Sequence, residues 1–223
     1  ANAPLGDALQ VWQGLGYPRR CRNLRDAAAA VCERHGGELP STLEELLDLP
    51  GIGQYTARAV LAFARAADVG VVDTNVSRVL SRLEGRPMRA RELQERADGL
   101  VPRGSAWEWN QVMMDFGARH CTARRPSCDS CPVVAECGWR GTSEIDDPAP
   151  SSAGASRPQA RFEGSDRQAR GRAVRALGDG PVERTGLAAV MGLGDDEVRA
   201  TKLIDALLGE GLAVEENGVV RLP

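Results

Sequence analysis

Four cysteines within 17 residues, Cys121-x6-Cys128-x2-Cys131-x5-Cys137, constrain this chain more than any other feature. Thiolates at such short spacing can wrap one metal centre, and the spacing leaves both tetrahedral zinc and a [4Fe–4S] cluster open. The chain shows no charged n-region followed by an apolar stretch, so a metal site is a better reading than a disulfide framework. Pro126 and Pro132 stiffen the segment. Arg119, Arg124, Arg125 and Arg140 surround it, placed to offset cluster charge or to meet phosphates.

Upstream of the cysteines the pattern is helical. Apolar residues recur with helical period at Leu24/Ala27/Ala28/Val31, Ala57/Val60/Leu61/Ala64, Val76/Val79/Leu80/Leu83 and Trp109/Val112/Met113/Phe116. A shorter helix covers Leu43/Leu46/Leu47, opened by Ser41 with Glu44 three residues on, the signature of a capping box. Residues 141–160 are rich in Ser, Ala, Pro and Asp and read as a flexible linker. Beyond it come a basic helix over Arg167–Leu177 and shorter helices near Glu183–Met191 and Glu197–Leu208. Two apolar runs then flank Glu216-Asn217-Gly218, a strong hairpin signal. Three helices and a terminal hairpin suggest a winged-helix arrangement.

Three further segments carry chemistry. Leu49-Pro50-Gly51-Ile52-Gly53 lies between two amphipathic helices. Pro50 ends the first, both glycines permit positive φ, and the N–H groups near Gln54 and Tyr55 open the second, where a helix start binds phosphate. Asp73, in Val71-Val72-Asp73-Thr74-Asn75-Val76, reads as a helix N-cap. Gly14 and Gly16 form a turn that exposes Tyr17 beside Arg19 and Arg20, and an exposed aromatic so placed can wedge into a base stack.

Charge neither demands nor forbids a nucleic-acid partner. The net charge is -3, yet residues 157–175 hold six Arg against Glu163 and Asp166, while residues 195–223 hold seven acids against three bases. Lys202 is the only lysine among 28 basic residues, so a lysine nucleophile has one possible source. No apolar run approaches the roughly 18 residues that span a bilayer.

WQGLGYPRRCRNL, LPGIGQYTARAVLAFA, VVDTNVSRVL and MDFGARHCTARRPSCDSCPVVAEC follow one another in an order that resembles the helix–hairpin–helix DNA glycosylases. The resemblance is to their iron–sulfur branch, shared with endonuclease III, and within it to MutY-type adenine glycosylases. It covers about residues 1–140. It implies a mainly α fold, with a helix–hairpin–helix glycosylase core over 1–117 and an iron–sulfur loop over 118–140; the linker over 141–160 and the winged-helix-like unit over 161–223 rest on the composition and helix–hairpin pattern above. It also implies a [4Fe–4S] cluster on Cys121, Cys128, Cys131 and Cys137, and Asp73 as the carboxylate facing the cationic sugar. Gly51, Ile52, Gly53, Gln54 and Tyr55 would hold the phosphate beside the lesion. Tyr17 would intercalate next to the orphan base, with Arg19, Arg20 and Arg124 as further DNA contacts.

Tyr55 stands where endonuclease III-like enzymes carry the Schiff-base lysine, which points to hydrolysis without lyase chemistry. The implied activity is removal of adenine mispaired with 8-oxoguanine or guanine from double-stranded DNA, by a monomer in the bacterial cytoplasm near the nucleoid. A thymine or uracil mismatch glycosylase and a non-catalytic iron–sulfur DNA-binding protein are the alternatives. The family's acid lies on a helix upstream of the Trp-Gln-Gly-Leu-Gly-Tyr motif, and residues 1–11 offer only Asp7. The sequence is therefore expected to be N-terminally truncated and to bind DNA without turnover. The 63 residues after the linker are too few for the family's Nudix-like reader of 8-oxoguanine.

Overall fold

Helices dominate the computed structural model, which describes residues 1–141, 146–155 and 159–223. In chain order they are α1 (Leu5–Val11), α2 (Pro18–His35), α3 (Leu43–Leu47), α4 (Gln54–Ala64), α5 (Thr74–Glu84), α6 (Ala90–Leu100), α7 (Ala106–Arg119), α8 (Asp166–Asp179), α9 (Leu187–Met191) and α10 (Glu197–Gly209). The strands are β1 (Val182–Glu183), β2 (Val214–Glu216) and β3 (Val219–Arg221). Two units emerge, and their borders differ from the expected ones. One joins Ala1–Pro40, Asp48–Gly51 and Gln159–Pro223; the other joins Ser41–Leu47 and Ile52–Pro158.

In the first unit the C-terminal segment does not stand alone. Leu9 of α1 and Cys21 of α2 share one apolar core with Ala173, Leu177, Leu187, Ile204, Leu207 and Val220. The Gly6 N–H donates to the Pro223 carbonyl at 3.1 Å, tying the first helix to the last residue. The reason is area: three short helices and a small sheet have too little apolar surface of their own to enclose. The elements run helix, strand, two helices, hairpin, where the sequence suggested three helices and a terminal hairpin; β1 is an added strand. The sheet has the order β1-β3-β2, all antiparallel, with Glu215 opposite Val220 and Glu216 opposite Val219. Asn217 (φ 53) and Gly218 (φ 78) form the turn, the paired positive φ that an Asn-Gly hairpin supplies.

The second unit packs α5 against α6 and α7. Val76, Leu80, Met88, Leu93 and Ala97 form its core, with Met113 and Met114 partly buried against it. Two details differ from the sequence reading. The capping box at α3 sits one residue later: Thr42 Oγ1 accepts from the Glu45 N–H at 3.3 Å and donates to the Glu45 carboxylate at 2.7 Å. Leu24 and Val112, read as core-facing, are exposed, because Ala27, Ala30 and Val31 on α2 and Asn110 and Gly117 on α7 take the buried face.

The expected linker is also packed where it is described. Residues 142–145 and 156–158 lie outside the described residues. Between them, Ser152 Oγ accepts from the Met88 N–H at 3.0 Å, the Ala153 N–H donates to the Met88 carbonyl at 2.9 Å, and Ala149 is buried. Among the described residues no helix is long and apolar enough to cross a membrane.

Candidate functional site

Asp73 caps α5. Its Oδ1 accepts from the Asn75 N–H at 2.8 Å and the Val76 N–H at 2.7 Å, and Oδ2 accepts from Asn75 Nδ2 at 3.0 Å. The carboxylate is half-buried, and Oδ2 keeps a lone pair directed at none of these donors. The segment leading to it is pinned from two sides. Buried Asn110 on α7 accepts from the Val71 N–H at 2.7 Å and donates to the Val69 carbonyl at 2.9 Å. Asp98 on α6 accepts from the Gly70 N–H at 2.8 Å while Gln94 donates to the Gly70 carbonyl at 3.0 Å. Arg58 on α4 closes this network by pairing with Asp98 at 2.9 Å. The capping role and a charge role are thus compatible: the backbone N–H groups fix the carboxylate without consuming it.

The Pro50–Gly53 turn leads into α4. Gly51 has φ 72, and a Cβ there would fall 2.5 Å from the Asn23 side chain. Gly53 departs from expectation. Its φ is -103, an extended N-cap open to any residue, with nothing within 4 Å of where a Cβ would stand. Gly51 therefore makes the turn, and Gly53 leaves clear space before the free N–H groups of Gln54 and Tyr55. Ile52 is half-buried, and Gln54 and Tyr55 are exposed.

Cys121, Cys128, Cys131 and Cys137 line one small cavity together with apolar Val79, Leu83, Phe116 and Val134. Among the described residues no three His, Cys, Asp or Glu side chains converge on a site that could hold a metal ion. Burial pushes the Cys121 and Cys128 thiols up. Several groups are arranged for sulfur: Arg82 Nη1 donates to Cys121 Sγ at 3.4 Å, and the Arg140 N–H donates to Cys137 Sγ at 3.4 Å. A Cβ on Gly141 would lie 2.6 Å from Cys128 Sγ, so only glycine fits beside that thiol.

Two arginines of α5 hold the loop. Arg78 donates to the Cys121 carbonyl at 2.7 Å, the Gly117 carbonyl at 2.6 Å and Asn75 Oδ1 at 2.8 Å. Arg82 is 1% exposed; it pairs with Asp147 at 2.6 Å, donates to the Thr122 carbonyl at 2.8 Å and stacks 4.3 Å from the Trp139 ring. Burial opposes both charges of the Arg82–Asp147 pair. The hydrogen bonds outweigh it, raising the Arg82 pKa and holding the Asp147 carboxyl below its usual value. A continuous chain of bonds thus runs from Asp73 Oδ2 through Asn75 and Arg78 to the cysteine loop. Arg140 bonds the Ala135 and Cys137 carbonyls, and Arg124 is exposed.

Tyr17 is the N-cap of α2, with a left-handed φ of 48, and is 51% exposed. A bulky residue there is a backbone outlier of the kind found at functional sites. Arg19 is largely exposed, 3.8 Å from Glu210, and Arg20 is exposed.

Comparison with known proteins agrees with this geometry. The helix-hairpin-helix motif model matches residues 34–63, across the Gly51 turn. An adenine DNA glycosylase of Mycolicibacterium smegmatis is 38% identical over 218 residues, covering 95% of this chain and 71% of that protein. The chain belongs to the adenine DNA glycosylase family. The human adenine DNA glycosylase is 40% identical over 63% of this chain and 27% of its own length. A trapped endonuclease III–DNA covalent intermediate superposes with TM-score 0.55 at 31% identity, covering 62% of this chain and 67% of that one. A thermostable thymine-DNA glycosylase gives TM-score 0.57 at 29% identity with the same coverages.

Within this family member, Arg78, Arg82, Asp147, Asn110 and Asn75 are supporting residues that the sequence did not single out. Nothing in the chain distinguishes two buried arginines from the many solvated ones. The one available signal was their four-residue spacing on the helix that follows Asp73.

Proposed function

We propose that the chain is a monofunctional DNA glycosylase for adenine mispaired with 8-oxoguanine or guanine in double-stranded DNA, in which the residues described here supply the electrostatic part of the reaction, Asp73, and not the proton donor to the base. The observation that carries this reading is Asp73, whose Oδ1 is fixed by two backbone N–H groups while Oδ2, among the described residues, accepts from Asn75 Nδ2, on a chain of the adenine glycosylase family. The target base is extruded from the stack before the bond breaks. Adenine departs once it has taken a proton from solvent; as the bond breaks, positive charge grows on the sugar, and the preorganised Asp73 carboxylate stabilises it at no reorganisation cost. Water then completes hydrolysis to an abasic site.

The open start of α4, with Gly53, Gln54 and Tyr55, is suited to grip a backbone phosphate. Tyr55 has no amine with which to form a Schiff base, which supports hydrolysis without strand cleavage. Tyr17 supplies an exposed ring for stacking beside the orphan base, and Arg19, Arg20 and Arg124 supply phosphate contacts.

Cys121, Cys128, Cys131 and Cys137 fit a [4Fe–4S] cluster. The four cysteines line one cavity that also takes in Val79, Leu83, Phe116 and Val134, and N–H donors face two of the sulfurs. When bound, the cluster supplies four iron–thiolate bonds that brace the loop. Arg78 and Arg82 hold that loop to the helix that Asp73 caps.

The test is release of base from A:8-oxoguanine, A:G, T:G and U:G duplexes, with the Asp73→Asn protein beside the wild type. Adenine release that Asp73→Asn lowers about 10²–10³-fold supports the reading, release of thymine or uracil alone transfers the chain to mismatch-pyrimidine chemistry, and duplex binding with no release of any base overturns a complete catalytic site in this chain. Metal analysis gives about four irons per chain if the cluster reading holds, and one zinc if it does not.

A further inference from the structure

Within the first unit a groove of about 330 Å³ opens between the Trp12–Pro18 turn and helix α8. Trp12, Tyr17 and Phe162 give it aromatic surface, and Arg167, Arg172 and Arg175 give it charge. Phe162 is 59% exposed, unusual for a large apolar ring in a chain with only nine aromatic residues of Phe, Trp and Tyr type. Arg167 joins the two rings: its Nη1 donates to the Tyr17 hydroxyl at 3.1 Å, and its guanidinium lies 6.0 Å from the centre of the Phe162 ring.

Among the described residues no carboxylate pairs with Arg167, Arg172 or Arg175. Arg167 otherwise bonds Gln159 Oε1 and the Ala160 carbonyl, and Arg172 bonds the Met191 carbonyl, all neutral oxygens. The nearby acid Asp166 is engaged by Arg199 at 2.6 Å. Gly171 sits in the interior of α8, where glycine is disfavoured, and a Cβ there would meet open space. The floor of the groove is thus kept clear.

We propose that this groove holds one nucleotide of a DNA strand, its base stacked on Tyr17 and Phe162 and its flanking phosphates on Arg172 and Arg175. Exposed aromatic faces beside uncompensated guanidinium groups are the chemistry that recognises a base and its phosphate together. Arg167 is a positioning residue that fixes the Tyr17 ring. The proposal rests on the DNA-glycosylase reading and extends it, since it gives the C-terminal helix a direct share in DNA binding.

The test is fluorescence anisotropy with the whole chain and a labelled A:8-oxoguanine duplex, over a series of salt concentrations. Arg172→Gln/Arg175→Gln should make the slope of log affinity against log salt shallower by about 1.8, two phosphates at roughly 0.9 each. Phe162→Ala should weaken binding roughly 5- to 150-fold, the range for one stacked base. Gly171→Leu, which fills the groove without altering charge, should weaken binding at unchanged slope. Arg167→Gln should weaken binding, and Arg167→Lys, which keeps a donor for the Tyr17 hydroxyl, should restore it.

Phe162, Gly171, Arg172 and Arg175 are exposed, and the charge and steric variants act by different means, so either reports if the other loses its fold. A wild-type chain that binds duplex, with groove variants of unchanged affinity and slope, overturns the groove alone. A wild-type chain that fails to bind any duplex overturns the DNA-glycosylase reading beneath it.

Discussion

Replacing Arg82 by methionine tests whether the cysteine loop is held by α5. The methionine keeps most of the buried volume and removes the guanidinium. It strips Asp147 of its 2.6 Å partner, and leaves the Thr122 and Ala123 carbonyls without the donors that reach them at 2.8 and 3.3 Å. Removing one member of a buried pair costs about 3–5 kcal/mol. The Asp147 side chain is 25% exposed and can recover some hydration, so about 3 kcal/mol is the better figure. For a chain of this size that lowers Tm by roughly 6–12 °C. Thermal unfolding followed by far-ultraviolet circular dichroism measures it. The double variant Arg82→Met/Asp147→Asn should be more stable than Arg82→Met alone, by about 1 kcal/mol, because the orphaned charge is gone while the bond from the Ala149 N–H can remain. An Arg82→Met protein within 1 °C of the wild type would refute the reasoning.

Three other outcomes follow from the same structure. Asp73→Asn keeps an N-cap acceptor but loses the charge, so adenine release should fall about 10²–10³-fold with little change in Tm; Asp73→Ala should lose the activity and about 1 kcal/mol of stability besides. Gly51→Ala should destabilise by about 1–3 kcal/mol in chemical unfolding, because it combines a positive φ with a clash at Asn23, whereas Gly53→Ala should leave stability nearly unchanged and weaken DNA binding. The Asp147 carboxyl is held below its ordinary value of 3.8, so its contribution is present above that pH and is lost as pH falls through the lower folded value. Acid titration of Tm should therefore show a decline in that range that Asp147→Asn flattens.

The helices were legible because each carries its own period and, in several cases, its own cap: Asp73, Ser165 and Asp196 accept from the N–H groups that open α5, α8 and α10. The shared loop of the four cysteines, the positive-φ turn at Gly51 and the Asp73 cap were legible because each depends on a short spacing, which a sequence displays directly; the extended backbone of Gly53 was not. The terminal hairpin was legible for the same reason, since Asn217-Gly218 satisfies its turn locally. These local features determined the helical class, the cysteine loop and the kinship with the glycosylases.

Partnership between distant segments was not legible. Only folding brought Leu9 and Cys21 into one core with Leu177 and Ile204, so the division at the linker did not survive. Only folding buried Arg78 and Arg82 among carbonyls, and set Asp147, read as part of a flexible linker, against Arg82. It also laid Arg167 on the hydroxyl of Tyr17, 150 residues away. The physical reason is the same in each case. A period, a cap or a ligand spacing is satisfied within a few residues, whereas the burial of a charge or the sharing of a core depends on which surfaces meet, and that is decided by the tertiary structure.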